Sequence, residues 1–198
     1  MKKLPLLLVL LRPLLGLLLL LLRDHPYFYG VAITLVSAGL LSDIFDGIIA
    51  RRLGVATPLL RRLDSAADNV FWLTLALTAY LRFPPFFSTH ALSIAVLLGT
   101  ETACYVISFV RFGKEVATHA IASKLWTLVL FATLLQLLLS GTAPVLYPLC
   151  FGAGLATRLE IIGIILLLPR WTTDVPGLRS ALRLRRGKPV HHYKLFNG

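Results

Sequence analysis

The stretch Asp43-Ile44-Phe45-Asp46-Gly47-Ile48-Ile49-Ala50-Arg51, followed by Leu60 and by Asp64-Ser65-Ala66-Ala67-Asp68, holds four of the chain's nine acidic residues in apolar surroundings. Asp43 and Asp46 are three residues apart, and Gly47, Ala50 and Arg51 continue the same helical stripe. Asp64 and Asp68 are four apart and share one face of the next helix. A short basic connection, residues 52–63, joins the two. The helices are therefore expected to be antiparallel neighbours with both acidic faces at one depth. Four carboxylates brought together repel and cannot all stay ionised without cations. Hard divalent ions with oxygen ligands, Mg²⁺ or Mn²⁺, relieve this, and four carboxylates can hold two of them. A two-ion site suits transfer at a diphosphate, because the ions screen its charge and stabilise the leaving oxygen. Gly47 and Ala50 leave room for a nucleotide beside the helix backbone, and Arg51 can meet phosphate. The alternative is ion pairing of the four Asp with Arg51, Arg52, Arg61 and Arg62. The charges allow that, but it leaves the small residues between two facing acidic stripes unexplained.

Composition decides the setting. Of 198 residues, 57% are hydrophobic and 15% charged, and the mean hydropathy is +0.81. A soluble domain carries about 25% charged residues, so most of this surface must face something apolar. Length allows one domain, at most two. A bilayer core about 30 Å thick takes roughly 20 apolar helical residues to cross. Six such spans are expected, at 4–22, 27–50, 66–81, 90–110, 124–139 and 143–168, giving an all-α membrane protein with six transmembrane helices. The fifth is short and calls for tilt or local thinning of the bilayer. The first begins like a signal peptide, with Lys2 and Lys3 before a Leu run. It is longer than an h-region, Arg12 and Pro13 interrupt it, and no small-x-small cleavage site follows, so it reads as a retained helix.

Lys and Arg number 20 against 9 acids, a net charge of +11. With the N-terminus cytoplasmic, sixteen of these bases fall inside; only Arg23 and Arg82 fall outside, and Arg12 and Arg158 lie within spans. That bias puts both termini in the cytoplasm. Topology thus accounts for the basic excess, and no nucleic-acid partner is needed. The expectation is a multi-pass cell-membrane protein with its acidic site facing the cytoplasm. Residues 1–169 form the transmembrane catalytic domain, and 170–198 form a basic tail on the inner membrane surface. Each base of that tail contributes about 1 kcal/mol of attraction to anionic lipid.

The acidic run resembles the signature of the CDP-alcohol phosphotransferase (CDP-alcohol phosphatidyltransferase) family. That signature reads D-x-x-D-G-x-x-A-R, eight residues, then G-x-x-x-D-x-x-x-D. Every position matches at its spacing except Leu60, where the family has Gly. Six spans and cytoplasmic termini also resemble the family's fold. Arg12, and Ser123-Lys124 at the start of the fifth span, more weakly resemble phosphatidylglycerophosphate synthases. The resemblance implies that an acceptor alcohol attacks the β-phosphorus of a CDP-linked lipid, usually CDP-diacylglycerol, and that CMP leaves. It implies metal binding by Asp43, Asp46, Asp64 and Asp68, with Asp68 also the catalytic base. It further implies a cytidine site lined by Gly47 and Ala50, with Arg51 on the diphosphate. Leu60 bears on acceptor choice or activity, since a branched side chain cannot replace Gly where backbone approaches a ligand.

Other readings differ in class. Prenyl transferases also hold Mg-diphosphate on aspartate-rich stretches, but they leave Gly47 and Ala50-Arg51 unexplained. A carboxylate-based cation transporter would place its acids nearer the bilayer midplane. A protein that binds nucleotide without turnover is the reading that Leu60 suggests. Arg111, Lys124 and Arg158 are candidates for the phosphate of an acceptor or lipid. For Arg111 and its neighbour Lys114 the ordinary reading is positive-inside loop charge. Arg158 has Glu101 or Glu160 as an alternative partner. His119, His191 and His192 lack ligand-like surroundings, and Trp171 reads as an interfacial anchor. Cys104 and Cys150 read as small buried hydrophobes. Gly152-Ala153-Gly154 lets helices approach closely, within one subunit or across a homodimer. The acceptor stays open among glycerol phosphate, inositol phosphate, serine and other alcohols.

Overall fold

A computed structural model describes residues 4–53, 57–114, 116, 121–173 and 175–187; within them, the side chains of Ile44, Arg51, Pro58, Arg61 and Ile121 and the surroundings of Gly47 fall outside the description. Among the described residues every regular element is a helix. In chain order these are α1 (Leu4–Leu21), α2 (Phe28–Arg52), α3 (Pro58–Arg82), α4 (Pro84–Thr89), α5 (Ala91–Phe112), α6 (Ile121–Ser140), α7 (Leu146–Leu167) and α8 (Leu178–Arg185). Five of them are long and apolar enough to cross a membrane: α1, α2, α5, α6 and α7. Their outer faces carry bare apolar side chains, among them Leu7, Leu14 and Leu21 on α1 and Leu92, Phe109 and Val110 on α5. Contiguous apolar surface of that extent is foreign to a water-facing monomer.

The third expected span is the exception. It is a helix of 25 residues, about 37 Å long, but too polar to count among the five. It also starts eight residues earlier than the apolar pattern indicated. Thr57 caps it, its hydroxyl accepting from the Leu60 amide at 3.2 Å, and Pro58 opens its first turn. Proline's missing N–H and fixed φ suit that position. The connection expected at 52–63 therefore shrinks to the few residues before Thr57, of which 54–56 fall outside the description.

The chain divides into two compact units. The first comprises Met1–Ser88 with Leu134–Ala143. Within it α1 packs along both α2 and α3. Its buried stripe is Pro5, Val9, Arg12, Gly16 and Leu19, at the three- and four-residue spacing of one helical face. Two glycines make the close approaches. A Cβ on Gly16 would lie 2.2 Å from the Thr74 hydroxyl, and one on Gly39 would lie 2.5 Å from the Phe71 ring. At the far end of α3, Arg82 lies over the Phe28 ring at 4.1 Å and donates to the Arg23 carbonyl.

The second unit comprises Thr89–Thr133 with Pro144–Gly198. Within it α5 packs on α7, and α7 on α8. Ile164, Leu168, Val175 and Ala181 form a small core beneath α8. Gly113 ends α5 at φ 64°, the left-handed conformation glycine adopts without cost. Of the small pair on α7, Gly154 makes a close contact within this unit, against Trp126 and Leu97, whereas Gly152 meets nothing.

Gly39→Ala is expected to lower stability by about 1–3 kcal/mol, because the Phe71 ring must move. Gly30→Ala, where a Cβ meets nothing within 4 Å, is expected to be neutral or stabilising. Thermal melting of the two variants in the same detergent checks the difference.

Candidate functional site

Asp43 and Asp46 project from one face of α2, and Asp64 and Asp68 from one face of α3. The two faces converge, but not directly on each other. Between them sits the guanidinium of Arg12 from α1, with its side chain only 1% exposed. Its Nη2 lies 3.1 Å from Asp43 Oδ1 and also pairs with Asp46 Oδ2. Its Nη1 donates to Asp64 Oδ1 at 3.1 Å and to Asp68 Oδ1. One side chain thus touches all four carboxylates.

The counter-charge seen among the described side chains comes from Arg12, on a helix the spacing of the acids did not implicate. The acids lie within their helices. Asp46 lies six residues before the end of α2 and Asp64 six residues after the start of α3, about 9 Å inward in each case. Arg12 did carry a signal in the sequence. A lone Arg inside a leucine-rich span is costly unless it faces a partner or a functional cavity.

The donor set suits a hard cation. One carboxylate oxygen each from Asp43, Asp64 and Asp68 lies within 4.8 Å of the other two, and oxygen-only ligands select Mg²⁺, Ca²⁺ or Mn²⁺ over softer metals. One guanidinium balances only one of four carboxylate charges, so the cluster has capacity for further positive charge. Asp43, Asp64 and Asp68 keep side-chain exposures of 45%, 37% and 36%, so they can be reached from outside; Asp46, at 5%, is closed off. Ala50 is buried. Gly47 and Arg51 lie within α2, but the surroundings of the one and the side chain of the other are outside the described residues. Leu60 is in the first turn of α3, one turn before Asp64 on the same stripe, its amide engaged by Thr57.

A family model, CDP-alcohol phosphatidyltransferase, matches residues 2–168. The chain belongs to the CDP-alcohol phosphatidyltransferase family. The match runs from α1 through α7 and includes both acidic faces and Arg12. We found no match among curated proteins or among solved structures. Family membership and the apolar helices together make this a membrane phosphotransferase.

The other candidate phosphate ligands lie in the second unit. Arg158 is 6% exposed. Its Nη2 lies 2.9 Å from Glu101 Oε2, its Nη1 donates to the Gly154 carbonyl at 3.2 Å, and its guanidinium stacks 3.8 Å above the Trp126 ring. Trp126 in turn donates to the Cys150 carbonyl at 3.0 Å. Of the two acids considered for Arg158, Glu101 is the partner. Glu160 instead accepts from the Leu178 amide at 3.4 Å, in the first turn of α8. Arg111 donates to the Leu168 carbonyl at 3.1 Å, at the C-terminal end of α7. Lys114 stacks on Trp171 at 4.4 Å. Lys124 is an exposed residue in the first turns of α6. Cys104 and Cys150 are free and buried. His119, His191 and His192 lie outside the described residues.

Glu101→Gln leaves the Arg158 charge without its counter-ion and is expected to cost about 1–3 kcal/mol. A Glu101→Gln, Arg158→Met double variant should recover part of the loss. Melting of the single and double variants tests this. Full stability in Glu101→Gln would show that the pair holds nothing together.

Proposed function

We propose that the protein transfers a phosphatidyl group from CDP-diacylglycerol to an acceptor alcohol in a membrane, releasing CMP. The observation that carries this reading is the convergence of Asp43, Asp46, Asp64 and Asp68 on one point, in a chain of the CDP-alcohol phosphatidyltransferase family. Asp43, Asp64 and Asp68, with Asp46 behind them, hold the divalent cations, Mg²⁺ or Mn²⁺. Two bound ions would neutralise the diphosphate and the charge that develops on the departing CMP. Gly47 and Ala50 let the cytidine approach α2, and Arg51 takes the diphosphate. Asp68 accepts the proton of the acceptor hydroxyl as its oxygen bonds to the β-phosphorus, and the bond to CMP breaks. Its carboxylate, 36% exposed, is open to that proton.

The membrane setting follows from the same residues. We read α3 as a sixth span whose polar groups turn inward to Arg12, so that lipid meets its apolar side. The excess of Lys and Arg on one side places both termini and the acidic site at the cytoplasmic face of the cell membrane. The basic segment from Arg170 lies on that surface, where Arg179, Arg183, Arg185 and Arg186, all exposed, meet anionic lipid. Lys124, exposed in the first turns of α6, is the residue we assign to the phosphate of an acceptor or lipid, while Arg158 and Arg111 are engaged by protein groups. A homodimer would have the Gly152 side of α7 free for close packing.

Purified protein, CDP-diacylglycerol, Mg²⁺ and a panel of alcohols should release CMP with at least one acceptor. Asp68→Asn should lower that rate by about 10²–10⁴-fold while cytidine nucleotide still binds. Full turnover in that variant would remove Asp68 as the base. Nucleotide binding without CMP release from any acceptor would make the wild-type protein a binding module.

A further inference from the structure

We infer that Arg12 is a resident counter-cation of the carboxylate cluster: it holds α1, α2 and α3 together and weakens divalent-metal binding by competing for the same oxygens. The inference rests on the metal-site reading above and adds a residue to it.

Arg12 lies on the stripe of α1 that faces inward, between Val9 and Gly16, and is 1% exposed. Both terminal nitrogens are spent on carboxylates, two on each. Its Nε is buried without a partner, so the guanidinium's placement is dictated by the acids alone. Three of those acids, Asp43, Asp64 and Asp68, are also the set whose oxygens converge closely enough to share a cation. A guanidinium within hydrogen-bond reach of an oxygen and a metal ion on that oxygen draw on the same lone pairs. Mg²⁺ needs ligands at about 2.0–2.1 Å in near-octahedral geometry, whereas an Arg fork binds from farther away and tolerates looser geometry. The two are therefore rivals for position at one cluster, even though its negative charge attracts both. One positive charge against four negative ones leaves the cluster strongly anionic, so Arg12 suffices to keep three helices together without saturating the site.

The role predicts opposite effects on stability and on metal affinity. Without Arg12 the acids repel in the metal-free protein, but a divalent ion meets no competitor. The test uses full-length protein in detergent, as wild type, Arg12→Gln and Arg12→Lys. Mn²⁺ binding is followed by the paramagnetic resonance of the free ion, and melting is measured in chelator and in saturating Mg²⁺. Arg12→Gln should bind Mn²⁺ about tenfold tighter than wild type. It should melt lower in chelator and return towards wild type in Mg²⁺. Arg12→Lys keeps the charge but loses the fork, and its Mn²⁺ affinity should fall between those of wild type and Arg12→Gln. Recovery of folded Arg12→Gln only from Mg²⁺ buffer reads in favour. Unchanged or weaker Mn²⁺ binding by Arg12→Gln, beside a wild type that binds, overturns the inference and leaves the metal site standing. An equal loss of stability in both buffers, or no folded variant from either, also overturns it. Absence of Mn²⁺ binding in wild type and variants alike overturns the metal-site reading itself.

Discussion

A guanidinium buried among four carboxylates is the constraint on which the first unit is built. An arginine inside an apolar helix is costly to leave without counter-charge, and four aspartates at one point are equally costly without positive charge. Each problem solves the other only if three helices meet at one depth. That requirement fixes α1 against both α2 and α3, and it explains why the contacts flanking Arg12 are so close. Gly16 lies one turn beyond it and Gly39 one turn before Asp43, and both leave no space for a side chain. Small residues let the backbones approach, and the approach brings the charges within reach.

The second unit holds a buried arginine too, and the contrast is informative. Arg158 meets one acid, one carbonyl and one aromatic face. Its charge is balanced one for one, and its surroundings close over it. Such a pair orders helices but has little capacity left for a ligand. Around Arg12 the balance is four to one, and three of the acids remain partly open. Excess charge that is accessible distinguishes a binding cluster from a structural lock.

The amino-acid pattern made the helices legible because their apolar runs are long. Five of the six expected spans are helices of membrane length, with ends shifted by only a few residues. The start of α3 was obscured because its first two turns are basic and acidic, and an apolar-run search passes over them. Thr57-Pro58 carried the missing information, since a capping hydroxyl before proline marks a helix start. The two acidic stripes were readable from spacing alone, because residues three or four apart on a helix share a face. Their meeting around Arg12 was not, as it depends on packing between side chains 31 to 56 residues apart in sequence. For Arg158 the sequence offered Glu101 and Glu160, and packing between helices selects Glu101.

The helix that fails the composition test for a membrane span is the one that carries half of the acidic cluster. The two facts have one cause. Asp64 and Asp68 lower the apolar content of α3, and the same side chains supply its share of the cluster. Packing against α1 offsets their cost by matching them with Arg12. A helix can be this polar within an apolar bundle only where its polar face is partnered from inside. Composition scored along one helix counts these charges as unpartnered, whereas the packed unit turns them toward a single opposing charge. The polarity of α3 is thus a consequence of the site it helps to build, and its stability there depends on keeping that charge in place.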